Sequence, residues 1–399
     1  MKSQEKFKDL KKPEVFRFIE DNLNTPVPKL ILSGSPFKSI DVKHLVNQIV
    51  GKKKAIKKLP TWFKHQEIIY PPKLNLEQTS SEITANHKSK SISGTRLIDL
   101  TGGFGVDDYY FSKRITELTY TELNSDLFEI ARHNFKILSL ENVQSHHVDS
   151  IAYLRQVHFK YDWIYVDPSR RTKSKKVFML KDSLPNVLEN KDLLRDKSKN
   201  LMIKTSPMYD IEMGYKELSG IKELHIVSVK NEVKELLWII DWRTVNSRTI
   251  KLYNYDSHRR YSFQKMDHDK LQSHLVSRSK YENYLYEFNS SIMKSGLFDH
   301  FAAKYGLGKL EKNTNLYTSN ILISSFPGKI FEIQSVDSIN FKNLKKEYKG
   351  TYVNIISKNI KISTENLRKK LNCKTGGDTD YLIFAKTTEG HRLIKAKKL

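Results

Sequence analysis

The chain has 399 residues, with 69 Lys and Arg against 45 Asp and Glu, for a formal net charge of +24. That length exceeds one ordinary domain, and the charge points to a polyanionic partner such as RNA or DNA, with AT-biased codon choice as the competing source of the lysines. A single cysteine, Cys373, excludes an intrachain disulfide framework and a cysteine-rich zinc site, and the lack of an apolar leader or a bilayer-length run predicts a cytoplasmic protein with no membrane partner.

Residues 1–90 read as an N-terminal helical domain. Val15, Phe16, Ile19 and Leu23 form one stripe at helical spacing, and Pro26, Pro28, Pro36, Pro60, Pro71 and Pro72 punctuate the segment. From Arg96 onward apolar strands alternate with helical stretches, the mark of βαβ units and a mostly parallel sheet. The predicted strands are 97–100, 118–121, 143–148, 163–166, 201–204, 224–229 and 250–255, seven in all, within an α/β domain at 91–256. Residues 125–140 predict a helix capped by Asn124 or Ser125, with Leu127, Ile130, Ala131, Phe135 and Leu138 on one face. The polar stretch 257–275 reads as a linker. Beyond it the chain returns to α+β patterning, with helix within 281–310, a turn at 326–329, a strand at 330–333 and a helix at 367–371 before Gly376 and Gly377. No repeat has a fixed period.

The first of these strands runs into Asp99, Thr101, Gly102, Gly103, Phe104 and Gly105 before a helix begins. Gly103 and Gly105 permit positive φ and close approach of the backbone to a ligand above the strand end, so this turn is a cofactor site. A dinucleotide requires a third small residue where the chain has Asp108, which disfavours NAD. Asp99 better matches the acidic residue that opens an S-adenosylmethionine (SAM) loop. Glu122, with Leu123, ends the second strand, where a carboxylate can accept from ribose hydroxyls, and Asp149, with Ser150, ends the third, where it can meet an adenine amino group. Asp107 and Asp108 read as first-turn acids of the following helix. His146 and His147 read as strand residues, and no metal site is expected, since no acidic or cysteine partner has ligand spacing.

The fourth strand runs into Asp167, Pro168, Ser169, Arg170 and Arg171. This order resembles the D/N-P-P-aromatic loop of methyltransferases that act on exocyclic amines of nucleic-acid bases, in which the acidic side chain and a carbonyl near the proline orient the amine toward the methyl group. The stacking aromatic is replaced here by Ser169, Arg170 and Arg171, and a guanidinium can stack on a base or grip a phosphate. A uracil C5 mechanism needs a cysteine nucleophile near the site, and Cys373 lies in the far C-terminal part, where it reads as a buried small side chain.

The chain resembles the bacterial class I SAM-dependent methyltransferases that carry a ferredoxin-like segment and a THUMP-like domain at the C-terminus. The likeness is carried by residues 76–82, 99–107, 165–171, 229–235, 289–296, 316–318, 326–331 and 367–378, with Phe288 standing where the family has a proline. It implies a seven-stranded Rossmann-like sheet, a ferredoxin-like segment at 276–324 and a THUMP-like RNA-binding domain at 325–399. Gln78 to Glu82 is similar to a pre-strand motif that closes over the cofactor, which adds Gln78 and Ser81 to the SAM-binding set; a helix N-cap at Thr79 or Ser80 with Glu82 behind it is the competing reading. The resemblance implies SAM as cofactor and an RNA substrate, tRNA first. Similarity of 101–107 to a small-subunit rRNA guanine-N2 methyltransferase keeps rRNA open, and the rival readings are a non-catalytic RNA-binding or assembly protein and a protein or small-molecule methyltransferase. Asp167, Pro168, Ser169 and Arg170 are the catalytic candidates, and Arg170, Arg171, Lys173, Arg368, Lys369 and Lys370 the RNA-binding ones.

Overall fold

The computed structural model describes residues 9–170, 180–245, 247–255, 259–264, 281–377 and 379–399. They fall into two compact units, one of 9–227 with Lys234–Thr249 and the other of Ser228–Val233 with Ile250–Leu399.

The first unit begins with the helices Pro13–Asp21, Val27–Ser33, Val42–Lys58, Pro60–Phe63, Lys73–Gln78 and Glu82–Ser89. Prolines open several of them, because the first helical turn needs no N–H and favours the fixed φ of proline. Val15, Phe16 and Ile19 are buried as the stripe predicts, whereas Leu23 lies beyond the helix end. These helices share one apolar core with Phe104, Val106 and Ile130 of the sheet region. The helices of residues 9–90 thus lie in the same compact unit as the strands from Arg96–Asp99 to Ser198–Thr205.

The sheet is built from β1 (Arg96–Asp99), β2 (Glu117–Glu122), β3 (Val143–His147), β4 (Tyr161–Val166), β7 (Ser198–Thr205), β8 (Ile221–Val229), β9 (Glu232–Asp241), β10 (Thr249–Asn254) and β11 (Arg259–Gln264), while β5 (Ser169–Arg170) and β6 (Ser183–Leu184) form a separate two-stranded ribbon. Strands β1 to β4 and β7 pair in parallel, and β9 runs antiparallel to β7. The order β3-β2-β1-β4-β7-β9-β8-β10-β11 makes nine strands rather than the expected seven. The two extra strands are hidden in the sequence for different reasons. Strand β9 follows β8 through Lys230 and Asn231, both at positive φ (52° and 54°), which is the hairpin turn that matches strand twist, and no glycine advertises it. Residues 259–264, read as linker, alternate polar and aromatic residues and form β11. The remainder of 257–275 lies outside the described residues.

Between the strands run the helices Val106–Phe111, Ser125–Ile137, Ser150–Gln156, Lys191–Lys197 and Ile211–Glu217. Ser125–Ile137 is capped by Asn124, whose side chain accepts from Asp126 N and Leu127 N at 3.0 Å each, and it buries Ile130, Ala131 and Phe135. No helix among the described residues is long and apolar enough to cross a membrane.

Besides β10 and β11, the second unit holds a seven-stranded sheet, ordered β13 (Gly308–Glu311), β14 (Thr314–Ser319), β12 (Tyr284–Phe288), β15 (Gly328–Ser338), β18 (Gly390–Lys398), β17 (Asp380–Thr387) and β16 (Asn354–Lys358). The strand β15 pairs antiparallel with both β12 and β18, so one ladder is continuous across the sheet. Phe288 ends β12 buried against the rings of Tyr317 and Phe326, and Asn289 caps the next helix by accepting from Ile292 N at 3.1 Å, so the turn forms without a proline. Cys373 is buried with Leu367 and Leu371 beneath this sheet, and burial raises its thiol.

Candidate active site

The turn after β1 adopts the conformation its glycines allow: φ is 58° at Gly103 and 77° at Gly105. A Cβ on Gly105 would lie 2.4 Å from the Phe135 ring, whereas one on Gly103 would meet only Thr101 O, at 3.6 Å. Gly105 is thus required by packing, and Gly103 leaves an open cradle for a ligand.

Asp99 and Glu122 bond to this turn, Asp149 follows β3 on the far side of β2, and each carboxylate has backbone work of its own. Asp99 is buried and accepts from Thr101 N at 2.7 Å and Thr101 Oγ1 at 3.1 Å. Burial raises its carboxyl to about 8, with Asp107 and Asp167 adding to the shift. Glu122 holds the turn through Gly103 N at 2.8 Å and the next helix through Asn124 N at 2.7 Å. The side chain of Leu123, 60% exposed beside it, is a free apolar surface of the kind an adenosine can rest on. Asp149 is the N-cap of Ser150–Gln156, accepting from Ala152 N at 2.8 Å, and Ser150 is the first residue of that helix. These residues fit a nucleoside that carries a charged side arm, since they offer hydroxyl acceptors, an apolar platform and a backbone turn with room above it.

Asp167 and Pro168 follow β4 directly, with Pro168 buried and Ser169 exposed. The Asp167 N–H donates to Thr101 Oγ1 at 2.8 Å, which joins this loop to the glycine turn. Ser169 and Arg170 pair with Leu184 and Ser183 in the β5–β6 ribbon. Arg171 and Lys173 lie outside the described residues. Arg368, Lys369 and Lys370 belong to the second unit, in the last turn of Thr364–Leu371, with Lys369 and Lys370 exposed.

Several participants have no motif that would reveal them. Lys204 of β7 forms an ion pair with Asp167. Burial opposes its charge, but Asp167, Glu235 and Asp107 outweigh that and raise the ammonium. Lys88, wholly buried, contacts Glu235 at 2.9 and 3.0 Å, Ser80 Oγ at 3.0 Å and Asp107 Oδ1 at 3.2 Å. Asp107 Oδ2 also accepts from Ser80 Oγ and Tyr165 OH at 2.9 Å each. Asp107 and Asp108 do stand in the first turn of their helix, but not at the surface: Asp108 is fully buried and its carboxyl is raised by burial, then by Asp99 and Asp107. A sequence signal for the lysines existed in part, since each sits in an otherwise buried stretch of its element, where an unpaired charge is excluded.

The pre-strand segment also differs from expectation. Ser81 is the N-cap of Glu82–Ser89, in a capping box with Thr84. Glu82 instead accepts from Thr61 Oγ1 and Tyr110 OH at 2.9 Å each, so its charge is spent between helices and not on its own cap. Gln78 is exposed at the end of the preceding helix. His147 lies in β3 with Nε2 3.0 Å from Leu123 O, and among the described residues no group of His, Cys, Asp and Glu is placed to hold a metal ion.

A family profile described as a ferredoxin-like domain matches residues 284–327, and one described as THUMP domain-like matches 328–398. The chain resembles the crystal structure of a candidate methyltransferase from Porphyromonas gingivalis W83, with 27% identity and a TM-score of 0.82 over 96% of this chain and 97% of that one. Over 135 residues it is 30% identical to an uncharacterized RNA methyltransferase of Mycoplasma mobile. That match covers 33% of this chain and 37% of the relative, so the chain spans little more than a third of the relative's length.

Proposed function

We propose that this chain, a member of the class I methyltransferases that end in a ferredoxin-like and a THUMP-like domain, is a SAM-dependent RNA methyltransferase. The observation that carries the reading is the hydrogen bond from Asp167 N to Thr101 Oγ1, which sets an acidic side chain beside the glycine turn. Gly103, Glu122, Leu123 and Asp149 are the residues to hold the adenosine, with Asp99 and Thr101 fixing the turn from beneath. When bound there, SAM supplies an electrophilic methyl group on its sulfonium. Asp167 then accepts a hydrogen from the acceptor group and aims it, while buried Pro168 fixes the direction in which the loop leaves the strand.

RNA as substrate is supported by the likeness to the Mycoplasma RNA methyltransferase, the THUMP-like domain and the net charge of +24. On the THUMP-like domain the first candidate is tRNA, with Arg368, Lys369 and Lys370 as phosphate contacts. On the Asp167–Pro168 loop alone the acceptor is a base nitrogen, and an rRNA guanine N2 is the alternative target.

The test is transfer of label from SAM to total tRNA and rRNA of a strain lacking the protein, by wild type and Asp167→Ala. Incorporation by the wild type that drops about 100-fold in the variant is the expected outcome. Equal incorporation removes Asp167 from the mechanism. SAM binding too weak to detect by calorimetry leaves a non-catalytic RNA-binding protein.

A further inference from the structure

We infer that the acceptor atom is a hydroxyl oxygen, the ribose 2′-OH of RNA, and that Lys204 and Asp167 act on it together. This rests on the RNA methyltransferase reading and departs from the loop resemblance in the acceptor alone. Four side chains of alternating charge carry it: Lys88 from the helix before β1, Glu235 from β9, Lys204 from β7 and Asp167 after β4. Lys88 and Glu235 are joined by two contacts of 3.0 and 2.9 Å, and Lys204 is joined to Asp167. The ion pair with Asp167 holds the Lys204 ammonium in the site, and the negative charge of Glu235 adds to its support.

An ammonium at this place discriminates between acceptors. An exocyclic amine has one lone pair, which must attack, and hydrogens that need acceptors, so it offers a Lys N–H nothing to bond. Positive charge also develops on its nitrogen as the new bond forms, which a neighbouring ammonium opposes. A hydroxyl oxygen has two lone pairs. One accepts an N–H of Lys204 while the other attacks the methyl carbon. The O–C bond forms as the C–S bond breaks with its electron pair left on sulfur. The hydroxyl proton passes to the Asp167 carboxylate and from there to water, while its bonding pair stays on oxygen. Lys204 faces the negative charge that grows on that oxygen and is already oriented for it.

A second observation agrees. The position after Pro168, where an amine-methylating loop has a ring to stack on an extruded base, is Ser169, which is exposed and has Oγ 3.4 Å from Leu184 O. A ribose acceptor needs no extruded base in the site.

The test uses the full chain with SAM and RNA from a strain lacking the protein, followed by digestion to nucleosides and mass spectrometry. Wild type, Lys204→Ala and Lys204→Arg are compared, with thermal unfolding to check folding and calorimetry to measure SAM affinity. The expected product has its methyl group on the ribose. Lys204→Ala lowers kcat by about 100-fold with SAM affinity nearly unchanged, and Lys204→Arg restores part of kcat. A methyl group on a base overturns the inference and leaves the RNA methyltransferase reading standing. Ribose methylation by Lys204→Ala at the wild-type rate also overturns it. No methyl group on any RNA, with SAM bound, overturns the reading itself and this inference with it.

Discussion

Thr101 Oγ1 accepts the backbone N–H of Asp167 at 2.8 Å and donates to Asp99 Oδ1 at 3.1 Å, so one hydroxyl ties the buried acid of β1 to the acidic loop after β4. Replacing it by Val preserves shape and leaves the Asp167 N–H without its acceptor. Thr101→Val should lower unfolding free energy by about 1–3 kcal/mol in urea titrations, and should reduce kcat further than Thr101→Ser. Equal kinetics for the two variants would show that the hydroxyl does not place the loop.

The Lys88–Glu235 pair is 0% and 2% exposed at its side chains, which makes a lone partner expensive. Lys88→Met alone should cost about 3–5 kcal/mol, and Lys88→Met with Glu235→Leu should recover part of it, because Glu235 is then no longer an orphaned charge while Asp107 still loses its 3.2 Å contact with Lys88. Chemical denaturation of the singles and the double closes the cycle. A double variant no more stable than the worse single would contradict the assignment of the cost to an orphaned charge.

Gly103 and Gly105 separate cofactor binding from folding. Gly105→Ala places a Cβ 2.4 Å from the Phe135 ring at a φ of 77°, and should destabilise by about 1–3 kcal/mol. Gly103→Ala meets only Thr101 O, at 3.6 Å, and brings the backbone strain of a φ of 58° without a clash, so it should destabilise less than Gly105→Ala and its larger effect should fall on SAM affinity measured by calorimetry. The reverse ranking would move the ligand away from Gly103.

Raised carboxyls give the fold a pH dependence of definite sign. Burial raises Asp99 to about 8 and raises Asp108 as well, while an unfolded aspartate titrates near about 3.9. Between about pH 4 and about pH 8 the folded state holds protons that the unfolded chain releases, so this contribution is complete at the acid end and is lost as pH rises. Asp108→Asn should therefore flatten the pH dependence of unfolding free energy measured from pH 5 to pH 8. A steeper dependence in the variant would exclude this origin.

Arg368, Lys369 and Lys370 lie in the last turn of their helix. If they neutralise phosphates, replacing all three by Ala should weaken tRNA binding across sequences. The slope of log affinity against log salt should become shallower by about one for each phosphate that no longer meets a cation. An unchanged slope would place the RNA elsewhere.

The local features were legible because they depend on neighbours in sequence. The glycine turn needed its residues at positive φ, Asn124 announced its helix, and the alternation of strands and helices forced a mostly parallel sheet with the acids Asp99, Glu122 and Asp149 at or just beyond successive strand ends. Strand β9 escaped because the turn before it has Lys230 and Asn231 where a glycine would have signalled a hairpin. Lys88, Lys204 and Glu235 escaped for a deeper reason. A lysine taken largely out of water is tolerated only where a carboxylate meets it, and Glu235 and Asp167, which meet Lys88 and Lys204, stand 147 and 37 positions away in the chain. Sequence alone determined that a SAM-type turn and an acidic loop would share one sheet. The tertiary structure decided that the acid has an ammonium for a partner, and that pairing bears on which atom it serves.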